Sequence, residues 1–264
     1  MSVARSAKTW LAPAAKKLAP RLFWRRKFRI LHRLGQSRTD IGLVASLCDP
    51  NRISLDIGAD LGEFTIAMAA SSRSVTAFEP RPAQARDLAA MFAAVGAPVR
   101  VEAVALSDRP GTIAMRVVES EPGRSTIDTD NELTDVNGDD IRRIDVPVKR
   151  LDDLHLDDIG LIKIDVEGHE LAVLRGATQT LTRNRPAIVV EAEERHHPDA
   201  VAEITALLAG LGYAGYFDLG GARRPIAEFD PTQHQDPANV GRREDGWAGH
   251  GTYVNNFVFL PTEG

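Results

Sequence analysis

Acids crowd the ends of two apolar runs in this chain. "LIKIDVEGHE" places Asp165, Glu167, His169 and Glu170 around Gly168, directly after the apolar segment that begins at Leu161. A carboxylate at a buried strand end needs hydrogen-bond partners or a ligand, because burying it unpaired is costly. Asp165 suits three tasks: orienting an acceptor hydroxyl, taking its proton, or holding an amino group. His169 titrates near neutral pH and is the other natural proton acceptor. Glu167 and Gly168 form the turn, with Glu167 at the rim. Glu170 reads as a first-turn helix acid at the positive end of the dipole. "IVVE" ends in the same manner at Glu191, followed by Glu193, Glu194, His196 and His197. If Asp165, Glu191 and a histidine converged, the set could hold magnesium and acidify a hydroxyl. An acidic substrate rim without metal is the preferred reading, since magnesium demands a specific oxygen geometry. Two adjacent histidines with one cysteine elsewhere say little for zinc.

A second constellation lies upstream. "DIGADLGEF" sets Asp56, Gly58 and Gly62 in a D-x-G-x-x-x-G turn that leads into a helix. Glycines let the backbone turn tightly and approach a ligand, and a helix start offers free N–H groups. The spacing differs from the dinucleotide G-x-G-x-x-G pattern, which points to a ligand with a smaller, zwitterionic end. Glu79 closes the next apolar run in "FEP", at the interval where an acid reaches ribose hydroxyls in nucleotide-binding sheets. Ser107 and Asp108 in "VALSDRPG" either contact an adenine edge or start a turn with Pro110 and Gly111. Ser125 and Thr126 in "GRSTID" either line the substrate entrance or belong to a loop turn.

These residues need elements to carry them. "RISLDIG", "SVTAFEP", "VRVEAVAL", "IGLIKIDV" and "RPAIVVEA" are short apolar runs that read as strands. Helical patterns lie between them: "EFTIAMAASS", "PAQARDLAAMFAAVG", "HELAVLRGATQTLT" and "DAVAEITALLAGLG". Strands alternating with helices imply right-handed crossovers and a mostly parallel α/β sheet with helices on both faces. "GTIAMRVV" and "IDVPVKRL" look like strands around a polar insertion at 119–140. "YAGYFDLG" and "TYVNNFVFL" lack an intervening helix, so an antiparallel pair at one edge is expected. In such sheets ligands bind beyond the carboxyl ends of the strands, where strand order reverses. The acids and the glycine turn all fall at those ends.

The 264 residues are enough for one large domain with a small appendage. Residues 1–40 read as a basic arm and helix, and 41–264 as the main domain. No stretch is long and apolar enough to span a bilayer, and the N-terminus makes a poor signal peptide. The lone Cys48 leaves no internal disulfide and fits a reducing compartment, so a cytoplasmic location is expected. Net charge is -5, yet residues 1–40 hold eleven bases against the single acid Asp40. "RLFWRRKFRILHRLG" sets an apolar stripe among arginines. It reads either as a helix packed on the main domain or as a peripheral membrane contact.

"SLDIGADLGEFT", "AFEP", "ALSDRPG", "STI", "LIKIDVEGHELAVLRGA" and "IVVEAE" occur here in the order found in the FkbM-type methyltransferases, which the chain resembles from about Arg52 to Glu193. The resemblance implies a Rossmann-like class I methyltransferase fold with a seven-stranded, mostly parallel sheet. It implies S-adenosylmethionine as cofactor, with Asp56, Gly58 and Gly62 flanking its methionine end and Glu79 on the ribose. It also implies methylation of a hydroxyl oxygen on a sugar, glycolipid or secondary metabolite. The expected partner is thus a small-molecule or glycan acceptor. Two rival readings stand beside it. One is an RNA methyltransferase gripping through the basic arm, which the acidic body and the lack of a stacking platform disfavour. The other is a non-catalytic module that binds the nucleoside and regulates a partner.

Overall fold

The computed structural model describes residues 16–120, 122–128, 133, 138–243, 246–249 and 252–262. Much of the insertion and the first part of the basic arm therefore lie outside the described residues. Apolar runs form the centre of an eight-stranded sheet with order β10-β9-β13-β8-β7-β1-β2-β3. Its members are β1 (Ile53–Ile57), β2 (Ser74–Phe78), β3 (Val99–Glu102), β7 (Ile159–Ile164), β8 (Ala187–Glu191), β9 (Tyr213–Leu219), β10 (Ala222–Pro225) and β13 (Asn256–Pro261). All six residues of β7 are buried, Lys163 included, as expected of a central strand covered on both faces. β3, β2, β1, β7 and β8 run parallel.

The expected antiparallel pair exists, since β9 and β13 run antiparallel. However, β13 is not at the edge. It inserts between β8 and β9, antiparallel to both, and the short exposed strand β10 forms the edge. Phe257, Val258 and Phe259 are apolar on both sides of the strand and fully buried. Such a segment is more stable inside the sheet than at its border.

Helices α1 (Pro20–Gly35), α2 (Thr39–Ser46), α3 (Glu63–Ser71) and α4 (Pro82–Val95) cover one face. There Val44, Met68, Val75, Leu161 and Val189 pack together, beside Trp24, Leu31, Leu88, Met91 and Phe92. The other face carries α5 (Glu170–Arg175), α6 (Thr178–Asn184) and α7 (Ala200–Gly210), with Val173, Leu174, Leu181, Ile204 and Leu208 on Ile162, Ile188 and Phe257. "HELAVLRGATQTLT", expected as one helix, divides into α5 and α6. Gly176 sits between them, and a Cβ there would lie 2.0 Å from the Ser107 carbonyl oxygen. The chain bends to make that close approach.

"VRVEAVAL" likewise divides. β4 (Ala105–Leu106) leaves the main sheet to pair with β6 (Ile141–Lys149), which forms a hairpin with β5 (Gly111–Val118). This three-stranded sheet is a lobe over the strand ends. A short helix α8 (Pro231–His234) and a hairpin of β11 (Val240–Arg243) and β12 (Gly246–Gly249) precede β13.

Candidate active site

Strand order reverses between β1 and β7, and the turns leaving these strands face one cavity. Gly58 follows β1 with φ +87°. A Cβ there would fall 1.7 Å from the Asp165 carbonyl oxygen, so only glycine allows the two strand ends to meet. Gly62 at φ +86° does a different job. Its missing Cβ makes room for Leu88 and Phe92, bringing α3 against α4. The turn after β7 is left-handed at two successive residues, Glu167 (φ 55°) and Gly168 (φ 103°). Positive φ is uncommon for a residue with a side chain, and here it lays Glu167 along the cavity wall.

The empty space of this open cavity, solvent at its mouth included, is about 530 Å³. Gly58, Asp60, Glu79, Arg81, Asp165 and Glu167 form its polar wall, and Phe78, Val104, Leu106, Met115 and Ile127 its apolar wall. Of the residues singled out by sequence, Gly58, Glu79, Ser125, Asp165 and Glu167 line it directly. Thr126 stands behind, where its hydroxyl donates to the Glu167 carbonyl oxygen at 2.8 Å. The segment from Gly123 to Ile127 thereby closes one side of the cavity.

The remaining sequence candidates sit outside this lining. Asp56 is fully buried beneath the glycine turn and accepts from the Thr65 hydroxyl. Its Oδ1 has no hydrogen-bond partner, and burial pushes its pKa up. Ser107 does not face the cavity, because its hydroxyl meets His169 Nε2 at 2.8 Å. His169 Nδ1 lies 3.3 Å from Asp128 Oδ2. His169 thus bridges the β4 loop and the lobe. Asp108 lies beside Ser107, with Oδ1 3.2 Å from its hydroxyl. The Asp108 bond is local, whereas Ser107 and His169 are held by a contact across the fold.

Glu79 is buried and fully engaged. Its carboxylate accepts from the Arg81 backbone N–H (2.9 Å), Arg81 Nε (2.8 Å), Arg81 Nη2 (3.0 Å) and the Asp60 backbone N–H (3.0 Å). A carboxylate has roughly four lone-pair positions, so a ribose hydroxyl binds there only by displacing a donor. Among these donors the Arg81 side chain is also shared with Asp60, at 2.6 Å. Sequence reading missed Arg81, although its place directly after "FEP" was the signal.

Beyond Asp165 the strand ends hold a cluster of opposite charges. Lys163, wholly buried, donates to Asp165 Oδ2 at 2.7 Å and lies 4.3 Å from the Phe64 ring centre. Burial alone would lower its pKa, but Asp165, Asp56 and Glu191 together hold it above the ordinary lysine value. Glu191, at the end of β8, accepts from Asn255 Nδ2 at 2.6 Å. Burial, then the Asp165 charge, raises its pKa well above the carboxylate range. Glu167 is raised for the same two reasons. His196 Nε2 lies 3.5 Å from Glu167 Oε2. Glu193 behaves oppositely. Burial would raise it, but its two bonds from Arg195 and one from Tyr253 keep it low. So the acids do gather, and the histidine among them is His196. Among the described residues no three His, Cys, Asp or Glu side chains are disposed to hold a metal ion. The cation these acids surround is Lys163. The sequence reading assigned no role to Lys163, nor to Tyr253 and Asn255, which lie far along the chain.

The cavity fits the cofactor implied by the sequence resemblance. Its apolar wall suits a planar base, Glu79 suits vicinal hydroxyls, and Asp165 with Glu167 suits a neighbouring positive charge. Residues 56–214 match the family model described as the methyltransferase FkbM domain. The methyltransferase sdnD of Sordaria araneosa is 31% identical over 231 residues, covering 74% of this chain and 83% of that protein. The crystal structure of methyltransferase FkbM from Methylobacillus flagellatus KT aligns over 80% of this chain, with 15% identity and a TM-score of 0.49. The present chain spans 44% of that one. A Streptococcus mutans protein in complex with SAH aligns over 85% of this chain and 96% of its own, with 9% identity and a TM-score of 0.46. The match across more than half its length and the identity with sdnD place this chain in the FkbM family of S-adenosylmethionine-dependent methyltransferases.

Proposed function

We propose that the chain methylates a hydroxyl oxygen of a sugar, a glycolipid or a secondary metabolite. The observation that supports this reading is the pair Asp165 and Glu167 on the cavity wall, with Glu191 at the end of the neighbouring strand β8 and both glutamates held above the usual range. A hydroxyl becomes a competent nucleophile as its proton is taken. Raising a carboxylate's pKa makes it a stronger base near neutral pH, which is what an alcohol acceptor needs. When bound, S-adenosylmethionine supplies an activated methyl group on a sulfonium. The chain's own residues then align the acceptor, exclude water and receive the proton.

The roles divide by geometry. Asp165 is fixed by Lys163 at 2.7 Å, so it serves to orient the acceptor hydroxyl. Glu167 lies on the cavity wall with a raised pKa and serves as the proton acceptor. His169, held between Ser107 and Asp128, locks the lobe onto the turn. The test is transfer of labelled methyl to fractionated glycan, lipid and metabolite extracts, followed by mass spectrometry. A methyl ether in the product supports the reading; an N-methyl amine or a methyl ester overturns it.

A further inference from the structure

Helix α1 has two faces, and the fold uses only one. Trp24, Leu31 and Gly35 are buried against α3 and α4, and Arg25 Nε donates to the Ala94 carbonyl oxygen at 2.9 Å. This inner face accounts for the helix as a packed element. The outer face has no structural need to be apolar. Yet among the described residues five large hydrophobic side chains are exposed, and four belong to this segment: Leu18 (86%), Leu22 (64%), Ile30 (49%) and Leu34 (56%). Leu22, Ile30 and Leu34 lie within α1 at spacings of eight and four residues, with Arg26 between Leu22 and Ile30 on the same winding row, and Leu18 precedes the helix. Arg21, Arg25, Arg26, Arg29 and Arg33 are exposed beside them. No Asp or Glu occurs from residue 16 to 39.

We propose that the outer face of α1 docks the protein onto an anionic lipid bilayer, with its leucines and isoleucine in the interface and its arginines over the headgroups. Charge complementarity selects this occupant. An anionic bilayer takes up apolar side chains and cations together. A nucleic acid rewards the arginines alone, and a second copy of this chain would bring like charges face to face. No helix among the described residues is long and apolar enough to cross a membrane, so the contact is peripheral. The docking does not depend on which acceptor is methylated.

The experiment is flotation of the full chain with vesicles of phosphatidylcholine alone, and of phosphatidylcholine with phosphatidylglycerol, at low and high salt. The expected result is flotation with the anionic vesicles only, weakened by salt. Replacing Arg26, Arg29 and Arg33 together with Gln should lower partitioning by about a hundredfold, since each basic residue near such a surface contributes about 1 kcal/mol, roughly fivefold. A second variant, L22S/I30S/L34S, should also lose flotation while keeping its melting temperature and calorimetric S-adenosylmethionine affinity. Three outcomes overturn the proposal. One is no flotation of the wild type. Another is arginine-dependent RNA retention that the serine variant keeps in full. The third is a dimer that the serine variant turns to monomer while the vesicles stay bare.

Discussion

At the scale of single residues, the chemistry rests on how burial and neighbouring charge move carboxylates apart. Glu79 accepts from Arg81 and from backbone N–H groups, and the expected ribose contact requires one of these donors to give way. Glu79→Ala should weaken S-adenosylmethionine binding by tenfold or more, the order expected from losing charged hydrogen bonds worth about 1.5–3 kcal/mol, and calorimetry measures it. Unchanged affinity would put the ribose elsewhere. Asp165→Asn should cut kcat by about a hundredfold, the order of cost for a misplaced reactant, while cofactor affinity changes little. Glu167→Gln should remove the acidic limb from the kcat–pH profile, since the wild-type carboxylate must lose its proton to accept another. Glu170 gives a stability test. Burial raises its pKa from 4.5 to about 7, although it accepts the Val166 and Gly168 N–H groups at 3.1 Å. The folded state then holds a proton that the unfolded state has released. Its contribution is fully present below pH 4.5 and is lost as pH rises through about 7. Glu170→Gln keeps the Oε1 acceptor and should flatten that part of the stability–pH curve by about one proton, read from urea unfolding at successive pH values.

At the scale of elements, close approaches decide where the strands can end. Gly58 lets the turn after β1 touch the backbone of Asp165, and no side chain fits there. Gly58→Ala should destabilise the protein by about 3 kcal/mol, combining a positive φ with overlap, and should perturb cofactor binding because the cavity wall moves. Helix α1 is held by its inner face, with Trp24 5% exposed among Leu88, Met91 and Phe92. Trp24→Ala should cost about 3 kcal/mol, seen as a lower melting temperature. Packing thus holds the helix on the main domain, as one of the two readings of the basic segment expected; the membrane contact is the docking we propose for its exposed face. The lobe of β4, β5 and β6 reaches the site through Thr126 and His169. Leu106 of β4 joins it to the main core by apolar packing as well.

At the scale of the whole molecule, the sheet gathers one side's charges into a single balance. β1, β7 and β8 end side by side, so Asp56, Lys163, Asp165 and Glu191 act on one another although they are far apart in the chain. The buried lysine offsets acids that would otherwise repel. Removing it leaves uncompensated buried charge, and such breaks are strongly destabilising. The acids gathered at the strand ends contrast with the bases of residues 16–39, where no Asp or Glu occurs.

Much of this was legible in the sequence because it is local. Apolar runs closed by Asp56, Glu79, Asp165 and Glu191 follow from the periodicity of strands, and the glycine turn from backbone sterics. Together with the family resemblance they indicated the mostly parallel sheet and the cofactor, although the resemblance implied seven strands and the sheet has eight, with β13 inside it. What only the tertiary structure decided is which side chains face each other across strands. Register set Lys163 among the acids, the insertion of β13 brought Tyr253 and Asn255 to Glu193 and Glu191, and the folding of the lobe took His169 and Ser107 away from the cavity. Such pairings join residues distant in the chain, and no local period encodes them; they come from the sheet burying its most apolar strands at the centre and carrying the polar ends along.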